Sequence, residues 1–166
     1  MKKITQLLEE FTPLIARVAA TFEANNSLRE ELMQEISLAV WRALDNTSNS
    51  TNNAFRGDSS LKTFIAKIAH NKAVDHVLKE QRCKEFSGTE VNEHSEAHDH
   101  TFTQHDKALD LMAALHRLDI KYRQVLSLQL EGFHQLEIAQ MVGLSEAAVA
   151  KRLSRARQKL ASIMEH

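Results

Sequence analysis

Five cations stand within nine residues near the C-terminus: Lys151, Arg152, Arg155, Arg157 and Lys159, in a stretch, LSEAAVAKRLSRARQKL, whose only acid is Glu146. The chain as a whole carries a formal net charge of −1, so this is a local concentration of charge. An ordinary solvated helix interleaves its cations with acids, whereas a row of bases without them suits a row of phosphates. Just upstream, Ala139, Gly143 and Val149 have the spacing of a helix-turn-helix. That unit places a small residue where two helices nearly touch, a glycine in the turn where positive φ is needed, and a branched residue that packs the second helix on the first. Ile138, Val142 and Leu144 supply the apolar seam, and Ser145 is placed to cap the second helix with Glu146 in its favourable first turn. In such a unit the second helix enters the major groove and reads base edges with its N-terminal half, while cations further along meet phosphates. Duplex DNA is the expected partner.

A second set of bases, Lys62, Lys67, Lys72, Lys79, Arg82 and Lys84, faces only Asp75 and Glu80. From Glu85 to Asp110 the balance reverses, with seven acids against Lys107 and four histidines among them. Cys83, His94, His98, His100 and His105 are ligand types that zinc and copper accept. Their spacing is not decisive, since His98 and His100 are two apart and Cys83 has no second cysteine. The segment reads as a solvated tether, with metal or redox sensing as the alternative. His70 and His76, on the basic segment, read as surface or DNA-facing residues. With four glycines and no nucleophile elbow, glycine-rich phosphate loop or HExxH, the chain is expected not to be an enzyme, and no cofactor or metal site is assigned.

These groups need elements to position them, and the composition allows one kind. The 166 residues are 43% hydrophobic with one proline and 5% aromatics, while helix formers abound, so the fold class is all-α. Leu7, Leu8, Phe11, Leu14, Ile15, Val18, Ala19 and Phe22 recur at near-3.6 spacing, with Thr12-Pro13 marking a kink or a new start. SLRE at Ser27 has capping-box form and opens a helix with Leu28, Leu32, Ile36, Val40 and Leu44 on its apolar face. After a polar run, Ser59 or Ser60 caps a helix burying Leu61, Phe64, Ile65, Ile68, Ala69, Ala73, Val74 and Val77. Leu109, Met112, Leu115 and Leu118 form a further stripe, followed by helices over Tyr122 to Leu130, Leu136 to Met141 and from Ser145. The pattern predicts two small helical domains, 1–84 and 107–166, joined by a flexible polar linker, 85–106. The lone Cys83, a start (MKKITQLLEEF) without the apolar run of a secretion signal, and no stretch able to cross a bilayer predict a cytoplasmic protein.

Two separated segments then match one family in order. EELMQEISLAVWRAL and FRGDSSLKTFIAKIAHNKAVDHVLKEQR resemble the core-binding helix and promoter-melting region of the extracytoplasmic-function sigma factors, the compact two-domain initiation subunits of bacterial RNA polymerase. YRQVLSLQLEGFHQLEIAQMVGLSEAAVAKRLSRARQKL is similar to their upstream-element reader. The resemblance implies a factor that binds core polymerase at its clamp helices and flap, directs initiation at specific promoters, in a stress response, and is held by an anti-sigma protein in some cases. It assigns core binding to Glu31, Gln34 and Glu35. It assigns the minus-ten element to Lys62, Lys67, Asn71, Lys72 and Lys79, with Asn71 at a flipped nontemplate base. The minus-thirty-five element falls to Ser145, Lys151, Arg152, Arg155 and Arg157. Trp41 matches the family tryptophan and is expected in the core, and Asp75 is expected to be structural. Phe64, Ala150, Ser154 and Asp119 depart from the family pattern. A stand-alone helix-turn-helix regulator is the alternative, distinguished by dimerising and binding an operator unaided.

Overall fold

The computed structural model describes residues 4–45, 60–87 and 104–165, and seven helices make up its regular structure. The described residues divide into two compact units, Met1–His76 and Val77–His166, with the boundary inside one unbroken helix.

In the first unit α1 (Ile4–Phe22) and α2 (Asn26–Asp45) form a closely packed pair, and α3 (Leu61–Ser87) begins its run. Pro13 sits inside α1 and starts no new helix. A proline deprives the carbonyl four residues earlier of its donor; beside it, the Thr12 hydroxyl donates to the Leu8 carbonyl at 2.7 Å. The core is Leu14, Ile15, Val18, Ala19 and Phe22 of α1, Leu32, Ile36, Val40 and Leu44 of α2, and Ile65, Ala66, Ala69 and Ala73 of α3. The centres of the stripes predicted from periodicity are buried, whereas Leu7, Leu8, Phe11, Leu28, Leu61, Phe64, Ile68 and Val74 at their edges are half-buried, and Leu109, expected on the stripe of the second unit, is 43% exposed. The start of α2 differs from the expected SLRE box: Asn25 is the cap, its Oδ1 accepting from the Leu28 N–H at 3.1 Å. Asparagine caps as well as serine does, and it lies two positions earlier, so the helix begins earlier. Ser60, the second of the two serines proposed, caps α3, its Oγ accepting from the Thr63 N–H at 3.1 Å.

In the second unit α4 (Gln104–His116), α5 (Ile120–Leu130), α6 (Gln135–Val142) and α7 (Glu146–Met164) pack around Leu115, Leu118, Val125, Leu128, Ile138, Val149 and Leu153. Arg123, almost buried, closes the α4–α5 turn: its Nη2 donates to the carbonyls of His116 at 3.0 Å and Leu118 at 2.9 Å. A guanidinium there meets the negative end of α4 and satisfies carbonyls that the helix leaves open. The His134 N–H donates to the Glu137 carboxylate at 3.1 Å, which satisfies an orphan donor at the start of α6. The Tyr122 ring lies beneath two ammonium groups, Lys121 Nζ at 5.0 Å and Lys159 Nζ at 4.9 Å, the latter from α7.

Between α6 and α7 the chain turns at Gly143, whose φ is +75°. The amides of Gly143 and Leu144 both donate to the Ala139 carbonyl, at 2.9 and 3.0 Å, which closes the end of α6. A side chain at this glycine would meet nothing within 4 Å, so the requirement is one of backbone conformation alone. Gly143→Ala should therefore lower the stability of this unit by about 1–2 kcal/mol. Gly143→Asn should lower it by less, since asparagine tolerates left-handed backbone. Urea denaturation followed by circular dichroism checks both; equal losses would show that something other than φ fixes the residue.

Candidate functional site

The helix-turn-helix is formed as its spacing predicts. Ala139 of α6 and Val149 of α7 are buried together with Ile138 and Leu153. Ser145 is the N-cap of α7, its Oγ accepting from the Ala148 N–H at 3.1 Å. Its hydroxyl hydrogen is left to donate outward. Val149, Leu153 and Ala156 bury one side of α7, which turns the opposite side to solvent. At about 100° per residue, Lys151 and Arg155 lie at the middle of that exposed side. Arg152 falls on one flank, half-buried, and Arg157 on the other, exposed. Lys151, Arg152 and Arg155 thus share a surface as expected, but Arg157 points about a third of a turn away from Lys151. Lys159, the fifth cation of the stretch, is engaged over Tyr122.

On α3 the buried stripe Ile65, Ala66, Ala69, Ala73 and Val77 leaves Lys67, Asn71, Lys72 and Lys79 exposed. Lys67, Asn71, Asp75 and Lys79 follow one another at intervals of four, a continuous ridge along the solvent side, with Lys72 beside it. Lys62 is exposed but stands apart: nine residues put it about 14 Å and half a turn away from Asn71. The two histidines of this helix lie elsewhere than expected. His70 is buried at 2% exposure with its ring 5.5 Å from that of Phe22 at an interplanar angle of 89°, an edge-on contact. His76 is half-buried, its Nε2 2.9 Å from Glu23 Oε2. Both positions fall on the side of α3 that the alanine stripe turns inward, a phase that a count of nearby lysines does not reveal.

α2 presents a different surface. Leu32, Ile36, Val40 and Leu44 are buried, and Glu31, Gln34 and Glu35 are exposed together on the opposite side. Leu38 and Trp41 lie among them, 46% and 41% exposed. Trp41 is therefore not the core residue expected from its match to the family tryptophan; Val40 and Leu44 take the inward positions, and the indole falls on the outer face. Two large apolar groups ringed by acids and an amide form the kind of patch that a protein partner covers. The signal in the sequence for this outward position is the helical phase set by Leu32, Ile36 and Val40.

Of the proposed linker ligands, Cys83 is exposed on α3 and His105 lies in α4, while His94, His98 and His100 fall outside the described residues. No helix among the described residues is long and apolar enough to cross a membrane.

Two family models match the chain in order, sigma-70 region 2 over residues 7–83 and sigma-70 region 4 over residues 108–160. The RNA polymerase sigma factor NccH of Alcaligenes xylosoxydans xylosoxydans is 25% identical over 96% of this chain and 86% of its own length. The ECF RNA polymerase sigma factor SigX of Bacillus subtilis is 28% identical over 82% of this chain and 70% of its own. The chain belongs to the extracytoplasmic-function sigma factors. An ECF sigma factor binds core RNA polymerase and directs transcription initiation at specific promoters, and this is the function of this chain. Its fold is that of the sigma factor RpoE of Bartonella quintana, solved with the anti-sigma factor NepR, with a TM-score of 0.78 and 23% identity over 99% of this chain and 98% of that one. CnrH, solved with the cytosolic domain of CnrY, superimposes with a TM-score of 0.64 and 23% identity over 98% and 87%.

The exposed indole has a measurable consequence in this sigma factor. Trp41→Ala should cost about 1 kcal/mol or less in guanidinium denaturation, against the ~3–5 kcal/mol of a buried tryptophan. A loss in the upper range would return Trp41 to the core.

Proposed function

We propose that this sigma factor divides its work among three helix faces: α2 docks on the polymerase clamp helices, α3 handles the minus-ten element, and α7 reads the minus-thirty-five element. The observation that carries this reading is that each helix buries a stripe of apolar residues and leaves outward a face whose chemistry suits a different partner. The α2 face combines Glu31, Gln34 and Glu35 with Leu38 and Trp41. Carboxylates there pair with arginines of the clamp, and the two apolar groups supply the desolvated centre. Residues 1–84 act as the core-binding and minus-ten region, residues 107–166 as the minus-thirty-five region that also meets the flap, and residues 85–106 as the tether between them.

On α3, Asn71 reads the edge of a flipped base while Lys67, Lys72 and Lys79 hold the backbone of the single strand. Lys62, half a turn away, meets a different phosphate from the rest. On α7, Lys151 lies nearest the N-terminal half and touches base edges, Arg155 sits one turn on against phosphates, and Arg157 reaches a phosphate on the other flank. Ser145 donates its hydroxyl hydrogen to a phosphate of the DNA. Such a factor has no reaction of its own to catalyse and works in the cytoplasm, where polymerase is. Its regulon is a stress response, and an anti-sigma protein holds it inactive, as NepR and the cytosolic domain of CnrY are bound to RpoE and CnrH.

Two experiments test these assignments. Glu35→Lys should keep native helicity and lower affinity for core polymerase by tenfold or more, because reversing a charge at a pair site sets like charges together. Unchanged affinity in a pull-down with purified core enzyme removes the α2 assignment. On α7, Arg155→Ala should weaken transcription from all cognate promoters alike and reduce the salt slope of holoenzyme binding by about one unit. Lys151→Ala should reorder a library of minus-thirty-five variants, with about 1–3 kcal/mol of discrimination lost if the contact is bidentate and less for a flexible ammonium. Wild-type behaviour of both across the library and at two salt concentrations rejects the DNA-reading face.

A further inference from the structure

The turn after α1 holds a carboxylate in an unusual place. Glu23 is 7% exposed, a degree of burial that an acid tolerates only when its oxygens are held. Oε1 accepts from the Asn25 N–H at 3.0 Å, and Oε2 lies 2.9 Å from His76 Nε2 on α3. Glu80 follows His76 by four residues and so leaves the same face of the same unbroken helix one turn on. Each of the three side chains offers one ligand atom, and these atoms all lie within 4.8 Å of one another.

Two carboxylates and one imidazole are a donor set that zinc accepts, with a position left for water. Ligand atoms on a tetrahedral zinc stand about 3.3–3.6 Å apart. The His76–Glu23 contact must therefore open slightly and Glu80 close in, movements that χ rotations supply. The Asn25 amide on Oε1 acts as outer support, leaving Oε2 as the single oxygen that Glu23 turns toward the cluster. We propose that Glu23, His76 and Glu80 bind a divalent ion of the zinc class.

The ion ties the α1–α2 turn to the middle of α3, the helix whose opposite side carries Lys67, Asn71 and Lys79. Zinc then stiffens the element assigned to the minus-ten strand, and occupancy changes promoter opening more than it changes assembly with core enzyme. This site is separate from the linker histidines, and its test has to exclude them.

The experiment uses the full chain with Cys83, His94, His98, His100 and His105 replaced by serine. Zinc uptake is measured by competition with a chromophoric chelator, and thermal melting is followed with and without zinc. The expected result is one zinc per chain, a melting temperature that rises with zinc, and at least a tenfold loss of affinity in both His76→Gln and Glu80→Gln. Glu80→Gln leaves the Glu23–His76 contact in place, and its metal-free circular dichroism should show the helicity of its parent. Cobalt(II) in place of zinc should give the visible absorption of a tetrahedral site, and Glu80→Gln should reduce it. Absence of zinc uptake in the serine-replaced chain, or uptake unaltered by Glu80→Gln, overturns the proposal.

Discussion

Burying Ile65, Ala69, Ala73 and Val77 fixes the rotation of α3 about its axis, and everything else that this helix does follows from that single constraint. A helix has one inward direction, so its choice of core residues is also the choice of what it shows. The lysine and asparagine ridge is then turned outward without any interaction holding it there. His70 and His76 are turned inward by the same rotation, one against Phe22 and the other against Glu23.

The same logic separates the two kinds of partner. On α2 the outward face keeps two large apolar groups among acids, which suits a protein surface where desolvation supplies most of the affinity. On α3 and α7 the outward faces carry the cations, beside the exposed Leu78 and Phe86 on α3, and such cations suit phosphates, where affinity comes from counterion release and falls with salt. One near-neutral chain therefore carries opposite surface chemistries, and its net charge of −1 conceals both. The helix-turn-helix adds an angular constraint: the left-handed Gly143 aims α7 away from α6, and the Ser145 cap fixes its first turn.

Most of the core was legible in the sequence because apolar spacing at 3.6 residues is a strong signal and these helices obey it. Leu32, Ile36, Val40 and Leu44, the Ala139–Gly143–Val149 turn and the Ser145 cap all stand where their spacing put them. The misreadings share one cause. The family match points Trp41 inward and the surrounding lysines point His70 outward, whereas the phase of the buried stripe places each the other way. The α2 cap was placed on a familiar motif at Ser27, although Asn25 caps equally well and comes first.

What the sequence by itself determined is the family, the helical class and the periodic faces, because these depend on residues close together along the chain or on motifs in a set order. Only the tertiary structure decided the long-range contacts. Glu23 and His76 are 53 residues apart, and Lys159 of α7 lies over the Tyr122 ring of α5. No periodicity links such positions. They meet because two helices, each rotated by its own buried stripe, bring particular side chains to one point, and that coincidence exists only once the helices have packed.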